Sequence, residues 1–450
     1  MKDKKFVILS ALVAALGGLL FGFDTAVISG TTKWLEKVFA LSTFGLGFTV
    51  ASALIGTIIG AISIGKPADR YGRRNMLFTI AALYFVSAVG SALAWDWYLL
   101  LFFRFIGGLG IGGASVVSAM YIAEISPAKY RGRLVGITQF NIVLGILLAF
   151  FSNYIISGMN LGTIEWRWMF GVEAFPAFAF FFLLFNIPRS PRWLVAKNRL
   201  EEARLVLGKC GRDTGNTEEE IQAIKASLDI EHSSLQEPLL CKKYIKPIML
   251  AVVIAMFNQL SGINAILYYA PKIFEMAGAG AESALLQTVA VGGINLIMTI
   301  LALAIIDNFG RKKLMLVGSV GYILSLASVA LAFYTYGTNF TKTGSVVVLI
   351  SLLIFIASHA VGQGAVIWVF LSEIFPNRVR ARGQALGTFT HWFMAAAISW
   401  TFPMIAAKSG GHTFAFYAVC MVGQLLWVLY VMPETKGISL EQIQKKLGIE

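Results

Sequence analysis

Charged residues are scarce in this sequence. Asp, Glu, Lys and Arg make up 14% of its 450 residues, whereas hydrophobic residues make up 57%. Soluble domains carry roughly 25% charged residues, so the composition excludes an ordinary soluble protein. About twelve apolar runs are long enough to cross a bilayer. These features predict an all-α membrane protein with twelve transmembrane helices.

Cysteine is also rare, and the residues that carry chemistry are not grouped. Cys210 and Cys241 lie in a long polar stretch and Cys420 lies in the last apolar run, so no disulfide framework is implied. We find no nucleotide-binding loop, metal-ligand cluster or activated nucleophile in the sequence. We therefore expect a protein that is not an enzyme and that needs neither a cofactor nor a metal.

The apolar runs form two groups of six, separated by a polar stretch with charged segments that are typical of short amphipathic helices. The runs lie near 6–30, 45–65, 75–94, 98–123, 133–156 and 167–187, and then near 247–270, 285–306, 313–336, 346–374, 384–406 and 413–432. We therefore predict an N-terminal six-helix bundle at 1–187, a cytoplasmic helical linker at 188–246, a C-terminal six-helix bundle at 247–432 and a cytoplasmic tail at 433–450.

Acidic residues are outnumbered, with 24 against 37 Lys and Arg residues and a net charge of +13. The basic residues cluster at every second junction between apolar runs, at 66–74, 129–133, 311–313 and 378–382. This alternation follows the positive-inside rule, and it predicts a multi-pass cell-membrane protein with both termini in the cytoplasm. Basic residues placed in this way flank membrane-spanning segments and fix their orientation, so we do not expect nucleic-acid binding.

Two charged motifs occur once in each half of the chain. The segment Asp69–Arg74 recurs at 307–312, and Glu124–Pro127 with its following arginine recurs at 373–380. Paired motifs in corresponding places predict two parallel six-helix repeats. Acids beside bases could form a latch that closes one conformation, although the bases could also serve only to fix topology. The predicted latch residues are Asp69, Arg73, Glu124, Arg131, Asp307, Arg311, Glu373 and Arg380.

The seventh run carries polar side chains near its middle, where lipid contact would be costly. On an unbroken helix Gln259 and Asn264 would point about 140° apart. Gly262 lies between them, and Pro271 is expected to end the run. A helix loosened at the glycine could turn both amides toward one cavity, as broken helices do in transporters. A patch rich in donors and acceptors suits a neutral solute with many hydroxyls, but the amides could also only bond neighbouring helices.

Two further charges lie inside apolar runs. Asp24 and Arg104 are each roughly six or seven residues from the predicted outer end of a run, so they should lie at similar depth. Buried charges need a partner, and we expect these two to form an ion pair that protonation of the carboxylate would release. A static pair that joins two helices is the alternative.

Together these motifs resemble the sugar porter family of the major facilitator superfamily. The resemblance covers nearly the whole chain and rests on 69–74 and its copy at 307–312, on 188–192, on 259–264 and on 433–437. The family includes bacterial xylose and glucose proton symporters and facilitative glucose transporters. Three residues depart from the family pattern: Arg189 stands where relatives usually have Glu, Asn258 where they have Gln, and His391 where they have Gln or Asn.

The resemblance implies the major facilitator fold and symport of a hexose or pentose with a proton by alternating access. It implies sugar contacts at Gln139, Gln259, Asn264, Asn295, Trp368 and Trp392, with Asn258 and His391 at the departing positions. In the family an acid at the position of Asp24 goes with proton symport, and uniporters lack it. The expected partners are a monosaccharide, protons and lipid, and we expect a monomer. A uniporter with a structural Asp24–Arg104 pair, or a non-transporting sugar receptor, is the alternative.

Overall fold

The regular structure of the described chain is entirely helical, as the sequence predicts. A computed structural model describes residues 2–127, 131–210, 217–234, 237–376, 378–438 and 440–449. The first part contains α1 (Lys2–Val38), α2 (Thr43–Ser63), α3 (Gly65–Tyr71), α4 (Arg73–Leu93), α5 (Trp97–Ile125), α6 (Arg131–Gly158), α7 (Glu165–Gly171) and α8 (Ala174–Leu183). Three linker helices follow: α9 (Pro191–Ala196), α10 (Leu200–Lys209) and α11 (Thr217–Ser234).

The remaining helices form the second part of the chain. They are α12 (Ile245–Leu260), α13 (Ile263–Met276), α14 (Ala281–Phe309), α15 (Arg311–Tyr336), α16 (Lys342–His359), α17 (Ala365–Glu373), α18 (Arg380–Ala406), α19 (Gly410–Tyr430) and α20 (Leu440–Leu447). Short 3₁₀ turns lie at Gly162–Ile164, Leu184–Asn186 and Lys242–Tyr244, and a π turn at Ala360–Gly364 joins α16 to α17.

Eleven helical segments of the described chain are long and apolar enough to cross a membrane, and they match eleven of the twelve predicted runs. The predicted run at 384–406 corresponds to α18, which has 27 residues. It is long enough to span, but His391, three threonines and one serine lower its hydropathy. The structure is therefore consistent with the predicted twelve spans.

The first helix is longer than the predicted apolar run at 6–30. It continues past residue 30 and ends at Val38. Two threonines lie where the run ends, and their hydroxyls stay within the helix. Thr31 Oγ1 donates to the carbonyl of Ile28 at 2.9 Å, and Thr32 Oγ1 donates to the carbonyl of Ser29 at 3.2 Å. A hydroxyl that bonds a carbonyl of its own helix needs no other partner, so both threonines are satisfied where the apolar run ends.

The apolar run ends at Pro271, as the sequence indicates, but the helix that contains this proline does not end there. Helix α13 continues to Met276 and bends instead at Tyr269, where φ is −122° and ψ is 17°. A proline removes one helical hydrogen bond and clashes with the preceding turn, which produces a kink when the surrounding packing holds both sides in place. Tyr269 is fully buried, and its hydroxyl donates to the carbonyl of Ser399 at 3.0 Å.

Helices α1 and α6 cross at two glycines. A Cβ added at Gly22 would lie 1.8 Å from the carbonyl oxygen of Ile142, and one added at Gly145 would lie 2.0 Å from that of Leu19. Neither distance leaves room for a side chain. The two backbones therefore touch, which is the close packing that small residues permit between transmembrane helices.

By its internal contacts the chain divides into two units. Unit 1 comprises Met1–Thr25, Ile55–Ile146 and Phe170–Glu237, and unit 2 comprises Ala26–Leu54, Leu147–Met169 and Pro238–Glu450. Each has its own apolar core: that of unit 1 includes Tyr84, Tyr121 and Phe180, and that of unit 2 includes Phe370 and Phe375. The segment boundaries given from the sequence stay a prediction.

The α1–α6 crossing generates a stability prediction. Gly145→Ala should push the two helices apart and destabilise the fold by about 1–3 kcal/mol, the usual cost of overpacking. Thermal unfolding in detergent should then show a lower melting temperature. Gly136→Ala on the same helix is the matched control, because a Cβ there meets nothing within 4 Å and alanine is the better helix former. Equal melting temperatures for the two variants would contradict the backbone contact.

Candidate functional site

The break between α12 and α13 brings two predicted amides together. Gly262 has φ +84° and ψ 11°, a left-handed conformation that glycine adopts without strain. Asn264 Nδ2 donates to Gln259 Oε1 at 2.9 Å, although the two residues would diverge on an unbroken helix. Ser261 covers the break, since its hydroxyl donates to the carbonyl of Asn258 at 2.7 Å and accepts from the N–H of Ile263 at 3.3 Å. The amides thus face each other because the helix is broken at the glycine.

Gln259 is the centre of this amide cluster and is 1% exposed. Its Nε2 donates to Asn258 Oδ1 at 2.9 Å and lies 3.3–3.4 Å from the ring nitrogens of His391. Asn258 Nδ2 donates to Gln363 Oε1 at 3.3 Å. Two of the three residues that depart from the sugar porter pattern, Asn258 and His391, are therefore direct partners of Gln259.

Aromatic rings lie beside the amide cluster. The ring centroid of His391 is 5.1 Å from that of Trp368 and 5.0 Å from that of Trp392. Trp392 is 5% exposed, whereas Trp368 is 38% exposed. An indole face that is open beside buried amides can pack on the apolar C–H face of a pyranose while the amides bond its hydroxyls.

The other two predicted sugar contacts lie on different helices. Asn295 is buried on α14, which packs against α13, α16 and the π turn of unit 2. Gln139 is half-buried on α6 and belongs to unit 1. The structure therefore places seven of the eight predicted sugar residues in unit 2. Their role in sugar binding stays a prediction.

Asp24 and Arg104 form the ion pair expected from their similar depth. Arg104 Nη1 donates to Asp24 Oδ1, and Arg104 Nη2 donates to the Asp24 carbonyl at 3.3 Å. Both side chains are buried, and the guanidinium carbon lies 5.3 Å from the ring centroid of Phe170. A Cβ at Gly107 would lie 2.6 Å from Asp24 Oδ2, so this glycine leaves room for the carboxylate.

A second acid, Glu173, lies beside the Asp24–Arg104 pair. Glu173 is 2% exposed and interacts electrostatically with both Asp24 and Arg104. Within the described part of the chain, Glu173 Oε1 and Asp24 Oδ2 make no hydrogen bond. Glu173 could have been found by the argument that found Asp24, because it is a lone acid inside an apolar run.

The first charged motif builds a cluster on the linker side of unit 1. Arg73 contacts Glu124 at 3.0 Å and Asp69 at 2.9 Å. The Ser190 hydroxyl donates to Glu124, and the same hydroxyl caps α9 by accepting from the N–H of Trp193 at 3.2 Å. The start of the linker is thereby fixed to the motif.

The second charged motif repeats this arrangement in unit 2. Arg311 Nη2 lies 2.8 Å from Glu373 Oε1, and the Thr435 hydroxyl donates to Glu373 Oε2 at 2.6 Å. Arginine, glutamate and a hydroxyl thus recur in the same relation in both units. The hydroxyls were missed from the sequence because neither belongs to the repeated motifs.

Other predicted latch residues are placed differently or lie outside the described residues. The side chains of Arg131 and Asp307 lie outside them. Arg380 Nε donates to the carbonyl of Phe375 at 3.3 Å. Each motif pair joins residues of one unit, so the latch between conformations stays a prediction. Among the described residues there is no group of three or more His, Cys, Asp or Glu that could hold a metal.

Known proteins resemble this chain over nearly its whole length. A family model described as "Sugar (and other) transporter" matches residues 10–447. The D-xylose-proton symporter of Escherichia coli (strain K12) is 40% identical, covering 98% of this chain and 96% of that protein. The arabinose-proton symporter of Bacillus subtilis (strain 168) is 38% identical, covering 98% and 95%.

A solved structure extends this likeness to the fold. The major facilitator superfamily proton:xylose symporter XylE, bound to 6-bromo-6-deoxy-D-glucose, has a TM-score of 0.81 and 39% identity. The match covers 99% of this chain and 100% of that one. The predicted major facilitator fold is thereby confirmed.

One acid of the second motif region leads to a pH prediction. The Glu434 carboxylate accepts from the backbone N–H groups of Arg311, Lys312, Thr435 and Lys436 at 3.0–3.1 Å. Partial burial raises the pKa of Glu434, but these four hydrogen bonds outweigh it, and the pKa lies below its usual value. The stabilisation is then present above the unfolded pKa of about 4.3 and is lost as the pH falls through the lower folded value.

Glu434→Gln should therefore destabilise the protein at neutral pH by about 1 kcal/mol, as loss of a helix cap does. The difference from the parent melting temperature should vanish in acid. Glu282→Gln is the control, because Glu282 is an exposed acid in the first turn of α14. A gap between parent and Glu434→Gln that stayed constant down to acidic pH would contradict a charged cap.

Proposed function

Because this chain belongs to the sugar transporter family, we propose that it carries a monosaccharide across the membrane together with a proton. The observation that carries the proposal is the buried Asp24–Arg104 pair, with Glu173 beside it, in a chain that resembles proton symporters from end to end. The named relatives are transporters rather than enzymes. No covalent chemistry is needed, since rocking between two conformations moves the sugar.

The sugar would bind at the amide and aromatic residues. Gln259 and Asn264 offer hydrogen-bonding groups at the helix break, and the exposed face of Trp368 offers an apolar platform. Asn258, Asn295, His391, Trp392 and Gln139 complete the proposed set. Buried amides are costly unless they are paired, so a site of this kind discriminates strongly for hydroxyls that complete its hydrogen bonds.

The proton would be held by the buried acid cluster. Asp24 is paired with Arg104, and Glu173 interacts electrostatically with both of them, in a region without solvent exposure. Two ionised carboxylates beside one guanidinium leave an uncompensated negative charge, and one proton removes it. Proton binding or release at this cluster then changes the strength of the Asp24–Arg104 pair. A pair that differs between two conformations can couple proton movement to the transport cycle.

The location and assembly follow from the same proposal. The apolar helices make this a multi-pass membrane protein. Both termini would be cytoplasmic, as the basic clusters predict. The motif clusters around Arg73 and Arg311 would then lie on the cytoplasmic side, where the latch would close. We propose that a single chain is the working unit.

Counterflow in proteoliposomes tests transport directly. Vesicles loaded with unlabelled D-xylose should transiently accumulate labelled D-xylose, and the initial rate should saturate with concentration. Competition by D-glucose and L-arabinose would rank the substrates. Protein-free vesicles are the control. Uptake that rises without saturation would contradict a carrier and indicate a channel.

Asp24→Asn tests proton coupling. The amide keeps the shape of the side chain but cannot exchange a proton, so exchange of sugar for sugar should persist while accumulation driven by a pH gradient is lost. Asp96→Asn is the matched control, because Asp96 only caps α5 by accepting from the N–H of Leu99 at 3.0 Å and asparagine caps equally well. Accumulation at the parent level in Asp24→Asn would show that this residue is not the coupling site. A parent without accumulation would be a uniporter.

A further inference from the structure

The amide cluster is one end of a longer chain of hydrogen bonds through unit 2. Six bonds run in one direction and end on a backbone carbonyl. Asn264 Nδ2 donates to Gln259 Oε1, Gln259 Nε2 to Asn258 Oδ1, Asn258 Nδ2 to Gln363 Oε1, Gln363 Nε2 to Gln424 Oε1, Gln424 Nε2 to Ser319 Oγ, and Ser319 Oγ to the Met315 carbonyl. The distances lie between 2.7 and 3.3 Å.

The direction of this chain is fixed at its far end. The Met315 carbonyl can only accept, so the single Ser319 hydroxyl proton is used there and Ser319 Oγ must accept from Gln424. Gln424 then presents its NH₂ group to the serine and its oxygen to Gln363. The same reasoning passes through each amide in turn. The orientation of every amide up to Asn264 therefore follows from one serine on α15.

The three residues at the far end of the chain cannot bond water instead of one another, because they are fully buried. Gln363, Gln424 and Ser319 are each 0% exposed. Gln363 lies in the π turn, next to Gly362, and Ser319 follows Gly318. A Cβ on Gly318 would lie 3.0 Å from the Gly362 Cα, so the π turn and α15 are in backbone contact at this point. Amides held this tightly are bonded to one another or left unsatisfied at high cost.

The donor-to-acceptor direction of this hydrogen-bond chain determines what Gln259 can offer to a bound sugar. Of the two N–H groups of Gln259, one donates to Asn258 Oδ1 and the other is covered by the His391 ring, whose two nitrogens lie 3.3 and 3.4 Å from Nε2. Its oxygen accepts from Asn264 and keeps one free lone pair. Gln259 can therefore offer a ligand only an acceptor, and a hydroxyl bound there must donate.

We propose that Ser319 and Gln424 are positioning residues that set the hydrogen-bonding polarity of the sugar site without contacting sugar. The inference rests on the proposed function and deepens it, because it states which partner of a sugar hydroxyl bond supplies the proton. Loss of the Ser319 hydroxyl would free the chain to reverse. In the reversed chain Gln259 Nε2 donates to Asn264 and keeps a second N–H for the ligand.

The parent protein provides the first test. D-Xylose analogues in which each ring hydroxyl is replaced in turn by hydrogen or by fluorine would compete with labelled D-xylose. Fluorine accepts but cannot donate. At the hydroxyl held by Gln259 both replacements should weaken competition equally, by roughly tenfold. If fluorine restored binding relative to hydrogen at every position, the inferred polarity would be wrong.

Ser319→Ala is the second test. It should weaken D-xylose binding several-fold and should make the fluorinated analogue a better competitor than the deoxy analogue at that position. Ser319→Thr keeps a hydroxyl and should restore the parent pattern. Ser325→Ala is the matched control, because Ser325 is a buried serine on the same helix whose hydroxyl donates only to the Tyr322 carbonyl at 3.1 Å. A merely structural role for Ser319 would lower affinity without changing the preference between the analogues.

The outcomes separate this inference from the proposed function. Parent binding of D-xylose with an analogue pattern that Ser319→Ala leaves unchanged would overturn the inference alone. A parent protein that bound no monosaccharide would overturn the proposed function and, with it, the inference. The analogue series on the parent decides the polarity even where Ser319→Ala does not fold.

Discussion

Hydrocarbon offers no hydrogen-bond partner, and the placement of polar side chains in this protein follows from that constraint. The amides near Gln259 bond one another, and the carboxylate of Asp24 meets the guanidinium of Arg104. Each group is held by a partner on another helix or across a helix break. A ligand that takes the place of one such partner must satisfy the same group. The constraint that builds the fold therefore also makes the interior selective.

The sequence was most informative about polar and charged residues that lie inside apolar runs. Asp24 and Arg104 could be paired because two opposite charges inside apolar runs at equal depth need each other. The contact between Gln259 and Asn264 could be anticipated because Gly262 permits the break that turns them together. The all-helical fold and its repeat followed from run lengths and duplicated motifs. In each case the pattern along the chain allowed only one low-energy arrangement of the residues.

Other features depend on contacts that a single sequence does not display. Gln363 and Gln424 lie 61 positions apart, and only the packing of the π turn against its neighbours shows that they touch. Glu173 stands out in the sequence as a lone acid, but its place beside Asp24 and Arg104 depends on the packing of distant helices. Pro271 ends the apolar run, but the helix continues beyond it because the packing around Tyr269 holds both sides of the kink. Tertiary contacts decided all three, and spacing along the chain did not reveal them.

The π turn at Ala360–Gly364 adds a residue to one turn of an otherwise α-helical span. Everything after it, including Trp368, is rotated by about 100° relative to a continuous α-helix. The span therefore contains a residue that evolution could delete without breaking the helix. Such a deletion would turn a different set of side chains inward and would turn Phe370 away from the core of unit 2. The extra residue therefore decides which face of the second half of the span meets the amide cluster and which face meets the core.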